Sequence, residues 1–212
     1  MKIILLGNAG AGKSTLSRKL LTKFPAARLS LDEVAFGTGA ERRPLQDSIE
    51  DVKRWIADHD SWIIEGCYAD IIQPLLSACD ELIFLNPGVD ACLSHCRSRP
   101  WEPEKFGSRQ EQDKNLENLL EWVSTYECRK DEYGLFRHRQ LFDSFPGAKR
   151  EYRDASDYAF GKGDRFIFRS CPVLNIPTLM KCLASLLHRK TSHVALTFTA
   201  PTVRAQPFGT TS

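Results

Sequence analysis

Gly7-Asn8-Ala9-Gly10-Ala11-Gly12-Lys13-Ser14-Thr15 stands between the apolar run Ile3-Ile4-Leu5-Leu6 and a helical pattern with Leu16, Leu20 and Phe24 at i, i+4 and i+8. Its first eight residues fit the spacing G-x-x-x-x-G-K-[ST]. A strand over residues 2–6, a glycine-rich turn and a helix starting near Lys13 and stopping before Pro25 form one continuous unit. Glycine lets the backbone turn tightly enough to bring N–H groups onto phosphate oxygens. The helix starting there aims the positive end of its dipole at the same oxygens. Lys13 would reach β- and γ-phosphates, the Ser14 hydroxyl would ligate Mg²⁺, and Thr15 is placed to help hold an α-phosphate. A purely structural turn leaves the Lys-Ser pair after the last glycine unexplained. Residues 7–15 are therefore expected to bind a nucleotide.

Outward from this unit, short apolar runs alternate with helical patterns, the rhythm of βα units on a parallel sheet. Strands are predicted over residues 27–31, 61–65, 81–85 and 149–153. A helix follows Pro44, with Ile49, Val52 and Ile56 on one face. Residues 68–79 read as a helix that Pro74 kinks, and 89–99 as another. Residues 100–110 hold two prolines, a glycine and mixed charges and read as an exposed loop. Helix resumes through Leu116, Leu119, Leu120 and Val123 and again over 137–145. Residues 165–169 read as a sixth strand or as irregular structure, and 179–187 as an amphipathic helix. No repeat appears at a period of about 20–50 residues.

The chain has 212 residues, 42% hydrophobic and 26% charged, as an ordinary globular protein has. Twenty-nine basic and 27 acidic side chains leave a net charge of +2, which argues against a nucleic-acid or membrane footprint over the whole molecule. The mild basic excess over 137–169 reads as a solvated face. No apolar run reaches the roughly 20 residues of a membrane helix. No charged n-region and cleavage site precede the first strand, and seven cysteines lack framework spacing. Both suggest reduced thiols and a cytoplasmic location. Cys92, His95 and Cys96 share a helix face, but no second ligand pair completes a zinc site. Residues 191–212 contain six threonines and no acid. We expect one domain over 1–190 and a poorly ordered extension over 191–212, in which 194–199 has some strand character.

With these residues in view, the glycine-rich segment resembles the P-loop of adenylate-kinase-like small kinases, among them nucleotide, shikimate and gluconate kinases. It resembles more closely the bacterial DNA topology modulation protein-like group. That likeness rests on Leu31-Asp32-Glu33, Arg43-Pro44 and Trp62-Ile63-Ile64-Glu65-Gly66-Cys67-Tyr68. The group usually shows W-I-I-D-G-N-Y, so Glu65 and Cys67 are departures. The likeness covers about residues 1–153. It implies a P-loop NTPase three-layer α/β sandwich, with a parallel five-stranded sheet in order 2-3-1-4-5 and helices on both faces.

Ligands of such sheets collect at the carboxyl ends of the strands. The ends deliver the glycine-rich loop, Asp32 and Glu33, Glu65 and Gly66, and Asn86. Asp32 is a candidate base toward an acceptor hydroxyl or a holder of Mg²⁺ through water; a helix cap is the alternative. The resemblance gives Glu65, with Ser14, to the metal's water shell. Gly66 would let a substrate approach the backbone. Phosphoryl transfer demands positive charge, and Arg43, Arg97 and Arg137 are the candidates, with Arg42, Arg99 and Arg139 beside them. The acceptor segment spans about 36–60 and a lid-like loop about 97–110, where Trp101 and Phe106 cover nucleotide or pack the loop down. The expected activity is ATP- and Mg²⁺-dependent phosphoryl transfer to a small acceptor, a nucleoside monophosphate first. The alternatives are a shikimate- or gluconate-kinase-like metabolite kinase and a nucleotide-dependent regulatory protein with little turnover. The partners expected are nucleotide and acceptor, without nucleic acid or membrane, in a monomer or homodimer.

Overall fold

Ile3, Ile4, Leu5 and Leu6 are each at most 1% exposed, although successive side chains of a strand point to opposite faces. Both faces of β1 (Lys2–Gly7) are therefore covered, the condition of a central strand in a parallel sheet. The structure is a computed structural model that describes residues 1–37, 41–101 and 107–158. β1 pairs with β3 (Trp62–Gly66) on one side and β4 (Glu81–Leu85) on the other. β2 (Ala27–Ser30) joins β3, and β5 (Ala148–Tyr152) joins β4. All pairings are parallel, in the order β2-β3-β1-β4-β5. The three inner strands are apolar runs, each buried Leu or Ile worth roughly 1.5–3 kcal/mol. The edge strands carry charge instead, Arg28 on β2 and Lys149, Arg150 and Glu151 on β5.

Leu16 and Leu20 dock α1 (Lys13–Leu21) onto the sheet. α2 (Asp32–Ala35) is a single turn that the apolar pattern did not signal. α3 (Leu45–Ala57) buries Ile49 and Val52; Pro44 sits before it in extended geometry, ψ 131°, rather than in its first turn. Instead of one kinked helix over 68–79, the chain makes α4 (Ala69–Ile72) and then a 3₁₀ turn (Gln73–Ala78). Pro74 explains the break, since it supplies no N–H for the helical ladder. α5 (Val89–Arg97) ends two residues early. α6 (Arg109–Ser124) begins inside the expected loop: Ser108 Oγ accepts from Glu111 N–H at 3.1 Å and Glu111 accepts from Gly107 N–H at 3.0 Å. The Ser-x-x-Glu spacing is a signature of helix starts, with the Glu111 carboxylate here reaching the N–H one residue before the capping Ser108. α7 (Leu135–Ser144) follows Gly134. Among the described residues no helix is long and apolar enough to cross a membrane. The elements expected at 165–169, 179–187 and 191–212, and Phe106, lie outside the described residues.

Candidate functional site

Between β1 and α1 the chain turns through Gly10 (φ 78°) and Gly12 (φ 88°), conformations that only glycine adopts without strain. Space makes the same demand. A Cβ on Gly10 would lie 2.3 Å from the Cys92 carbonyl oxygen and 2.8 Å from Cys96 Sγ. Three distant segments strap the loop down. His95 Nδ1 donates to Gly10 O at 2.8 Å, Tyr158 OH donates to Ala11 O at 2.8 Å, and the buried Asn8 amide donates to Val123 O at 3.3 Å. Among the described residues, the N–H groups of Gly10, Gly12, Lys13, Ser14 and Thr15 donate to no acceptor. The first turn of α1 carries no acid, so its positive end is not neutralised. Lys13 Nζ donates to Gly7 O at 3.0 Å and Asn8 O at 2.8 Å. A row of unsatisfied donors beside an ammonium is fitted to receive a polyanion.

Ser14 Oγ donates to Glu65 Oε2 at 2.9 Å. Glu65 ends β3 and is 2% exposed, and Arg28 of β2 pairs with its other oxygen. Arg28 also donates to Ser17 Oγ at 3.0 Å. Glu65 and Ser14, the expected metal pair, are thus together, and Arg28 is a member that sequence reasoning missed. A signal existed: one charge stands inside each of two adjacent apolar strands. Among the described residues no group of three or more His, Cys, Asp or Glu side chains could hold a metal ion by itself. A cation at Ser14 would take its other ligands from phosphate and water.

On the β2 side, Asp32 opens α2, exposed, and its Oδ1 accepts from Tyr68 OH at 2.6 Å. Burial, Cys67 and Asp32 hold the Tyr68 phenol far above its ordinary range, so Tyr68 is a proton donor at any working pH. Arg42 lies 5.3 Å from the Tyr68 ring and 5.1 Å from the Tyr133 ring, with its arms on Asp70 (2.7 Å) and Glu132 (2.9 Å). Arg43, expected to meet the acceptor, pairs with Asp51 at 2.7 Å and donates to Val34 O at 3.1 Å. These bonds hold α2 against α3. At Gly66 a Cβ would meet Leu31 side-chain atoms at 2.8 Å, so Leu31 packs directly over this glycine. Buried Cys67 lies where the charges of Lys13, Asp32 and Arg42 all reach it; burial dominates and pushes its thiol up to about 12.

Arg97 and Arg99 line a cavity of about 410 Å³ together with Trp101, Arg109, Asp113 and Cys96. Cys96 also packs against Gly10, so the cavity adjoins the glycine-rich loop. Arg97, Arg99 and Arg109 form no ion pair with a described residue. Arg137 does not line this cavity: it bonds to Gln140 and, at 2.9 Å, to Gln73 at the start of the 3₁₀ turn after α4. Its neighbour Arg139 pairs with Glu151, whose carboxyl that bond holds down at about 2. Asn86 spends its amide on Glu151 at 3.2 Å.

His138 supports the site from below. It is fully buried, and burial lowers its pKa to about 4. Neutral, it donates from Nε2 to Cys67 O at 2.9 Å and accepts at Nδ1 from Tyr126 OH at 2.8 Å. Cys92 and Cys96 are buried under the loop, and burial pushes the Cys92 thiol up to about 11. In comparisons with known proteins, no protein-family model and no curated sequence matches the chain.

Proposed function

We propose that the protein is an ATP- and Mg²⁺-dependent phosphotransferase of the adenylate-kinase-like P-loop class, acting on a small acceptor. One observation carries the reading: among the described residues the N–H groups of Gly10, Gly12, Lys13, Ser14 and Thr15 stand without acceptors, around a lysine and a serine that already faces a carboxylate. The residues fit the group. The five N–H donors and Lys13 would hold the triphosphate, and Ser14 with Glu65 would hold Mg²⁺ and its water. Bound ATP supplies the transferable phosphoryl group, and Mg²⁺ neutralises its oxygens. Lys13 exchanges its two carbonyl partners for phosphate oxygens. Arg97 and Arg99 add positive charge from the adjoining cavity. Asp32, kept in place by Tyr68, accepts the acceptor's hydroxyl proton.

A second reading, a nucleotide-dependent regulatory protein with little turnover, is favoured by Arg28, which occupies the Glu65 oxygen that metal-bound water would need. The test is release of labelled γ-phosphate from ATP·Mg²⁺ with and without a panel of candidate acceptors. Acceptor-dependent transfer supports the kinase. ATP binding without transfer to any acceptor supports the regulator, and absence of ATP binding overturns both.

A further inference from the structure

The arginines beside Asp32 are already spent. Arg42 has one arm on Asp70 and the other on Glu132, and its flat face is closed between Tyr68 and Tyr133. Arg43 is spent on Asp51 and the Val34 carbonyl. Arg129 lies against the Trp122 ring at 4.4 Å, with Nε 3.2 Å from Asp131; its Nη1 is sealed from solvent and has no hydrogen-bond partner among the described residues. Around Tyr68 and Tyr133, two guanidinium groups therefore face four carboxylates, those of Asp32, Asp70, Asp131 and Glu132. A phosphate monoester or a carboxylate needs unshared cationic donors, best a two-pronged guanidinium. Among the described residues Arg42 and Arg43 offer none without breaking an ion pair, and the unshared Nη1 of Arg129 is closed off from solvent. What this wall does offer suits a hydroxyl. Asp32 Oδ2 has no partner among the described residues, while Oδ1 is fixed by Tyr68. Phe36, 36% exposed, and the half-buried Tyr133 supply apolar surface beside the buried Tyr68 ring.

Resting on the phosphotransferase reading, we propose that the acceptor is an alcohol carrying no anionic group, such as a nucleoside, polyol or amino alcohol, seated with its hydroxyl on Asp32. Nucleoside monophosphates and hydroxy acids are excluded by like charge rather than by size. In the step, the acceptor O–H gives its proton to Asp32 Oδ2 and the acceptor oxygen bonds to the γ-phosphorus of ATP. The bond from that phosphorus to the bridging oxygen breaks, and ADP leaves with the electron pair. The products are ADP and a phosphate ester, and Asp32 returns its proton to water.

Matched pairs test the assignment: nucleosides against their 5′-monophosphates, and aldoses or polyols against the corresponding sugar acids. ADP release is measured with the full chain and ATP·Mg²⁺, after calorimetry has shown that ATP·Mg²⁺ binds. The expected result is turnover with a neutral or amine-bearing member at least about tenfold faster than with its anionic partner, the scale of like-charge exclusion. Replacing Asp70→Asn together with Glu132→Gln should free Arg42 and narrow that ratio. Faster turnover with an anionic member overturns the acceptor assignment and leaves the kinase reading intact. Equal rates, or no turnover with any pair while ATP·Mg²⁺ is bound, also overturn the acceptor assignment. Failure of ATP·Mg²⁺ to bind overturns the phosphotransferase reading itself.

Discussion

Ser14 Oγ and Glu65 Oε2 lie 2.9 Å apart although 51 residues separate them in the chain. The parallel register that sets Leu5 opposite Glu65 brings the end of β3 beside the start of α1. A hydroxyl and a carboxylate so placed suit a hydrated divalent cation. Glu65→Gln keeps the shape and removes the charge. It should weaken ATP binding in Mg²⁺ by roughly 10-fold or more, the scale of lost outer-shell support for a metal, and leave binding without Mg²⁺ nearly unchanged. Paired titrations with and without Mg²⁺ check this, and equal losses in both would make Glu65 only a partner for Arg28.

Asp32→Asn removes a proton acceptor and preserves the hydrogen bond from Tyr68. The transfer rate should fall by roughly 10²-fold or more, the usual scale of lost general-base help. Melting temperature and ATP affinity should hold, because Asp32 is exposed and caps nothing that stays uncapped without it. A large loss of stability with transfer intact would mark Asp32 as structural.

The arginines separate by what already holds them. Arg97→Gln and Arg99→Gln should each lower transfer by roughly 10-fold or more, since neither has a carboxylate partner among the described residues. Arg137→Gln should change the rate less than twofold, a margin of about 0.4 kcal/mol, since its guanidinium serves Gln73 and Gln140. Steady-state kinetics on the three variants would contradict the placement if Arg137→Gln proved the most damaging.

Acid should destabilise the fold in two stages. Buried His138 stays neutral in the folded protein down to about 4, whereas the unfolded chain takes up that proton near 6.5. Between those values the unfolded state binds more protons, so stability falls as pH falls, on the order of a few kcal/mol. Glu151, held down at about 2 by Arg139 against an ordinary 4.5, adds a further loss below about 4.5. Melting curves from pH 7.5 to 3 check this. His138→Gln should flatten the decline between 6.5 and 4 and leave the lower stage, whereas an unchanged decline would remove His138 as its source.

Much of this was legible in the chain. β1, β3 and β4 read directly from apolar runs because inner parallel strands are buried on both faces, and the turn between β1 and α1 falls where the glycines of residues 7–12 put it. What failed to show depends on tertiary partners. Tyr158 reaches Ala11 across 147 residues, and no spacing announces it. Leu31 closes over Gly66 only because β2 and β3 lie side by side. The ion pair of Arg43 was hidden because its partner Asp51 sits on α3, facing it only in the fold. The four-residue α2 is too short to display a period, and the start of α6 was set by the Ser108–Glu111 cap against a proline-rich neighbourhood.

Calorimetric titration of the full chain with ATP·Mg²⁺, beside Lys13→Ala, bears most directly on the loop as a triphosphate cradle. Among the described residues Lys13 bonds only to the carbonyls of its own loop, so the variant should fold and melt as the parent does. The parent should bind one ATP per chain. The variant should bind at least about 10-fold more weakly, as expected for one lost charge-assisted contact worth roughly 1.5–3 kcal/mol. A folded parent that takes up no ATP, or a variant that binds it equally well, would contradict the account.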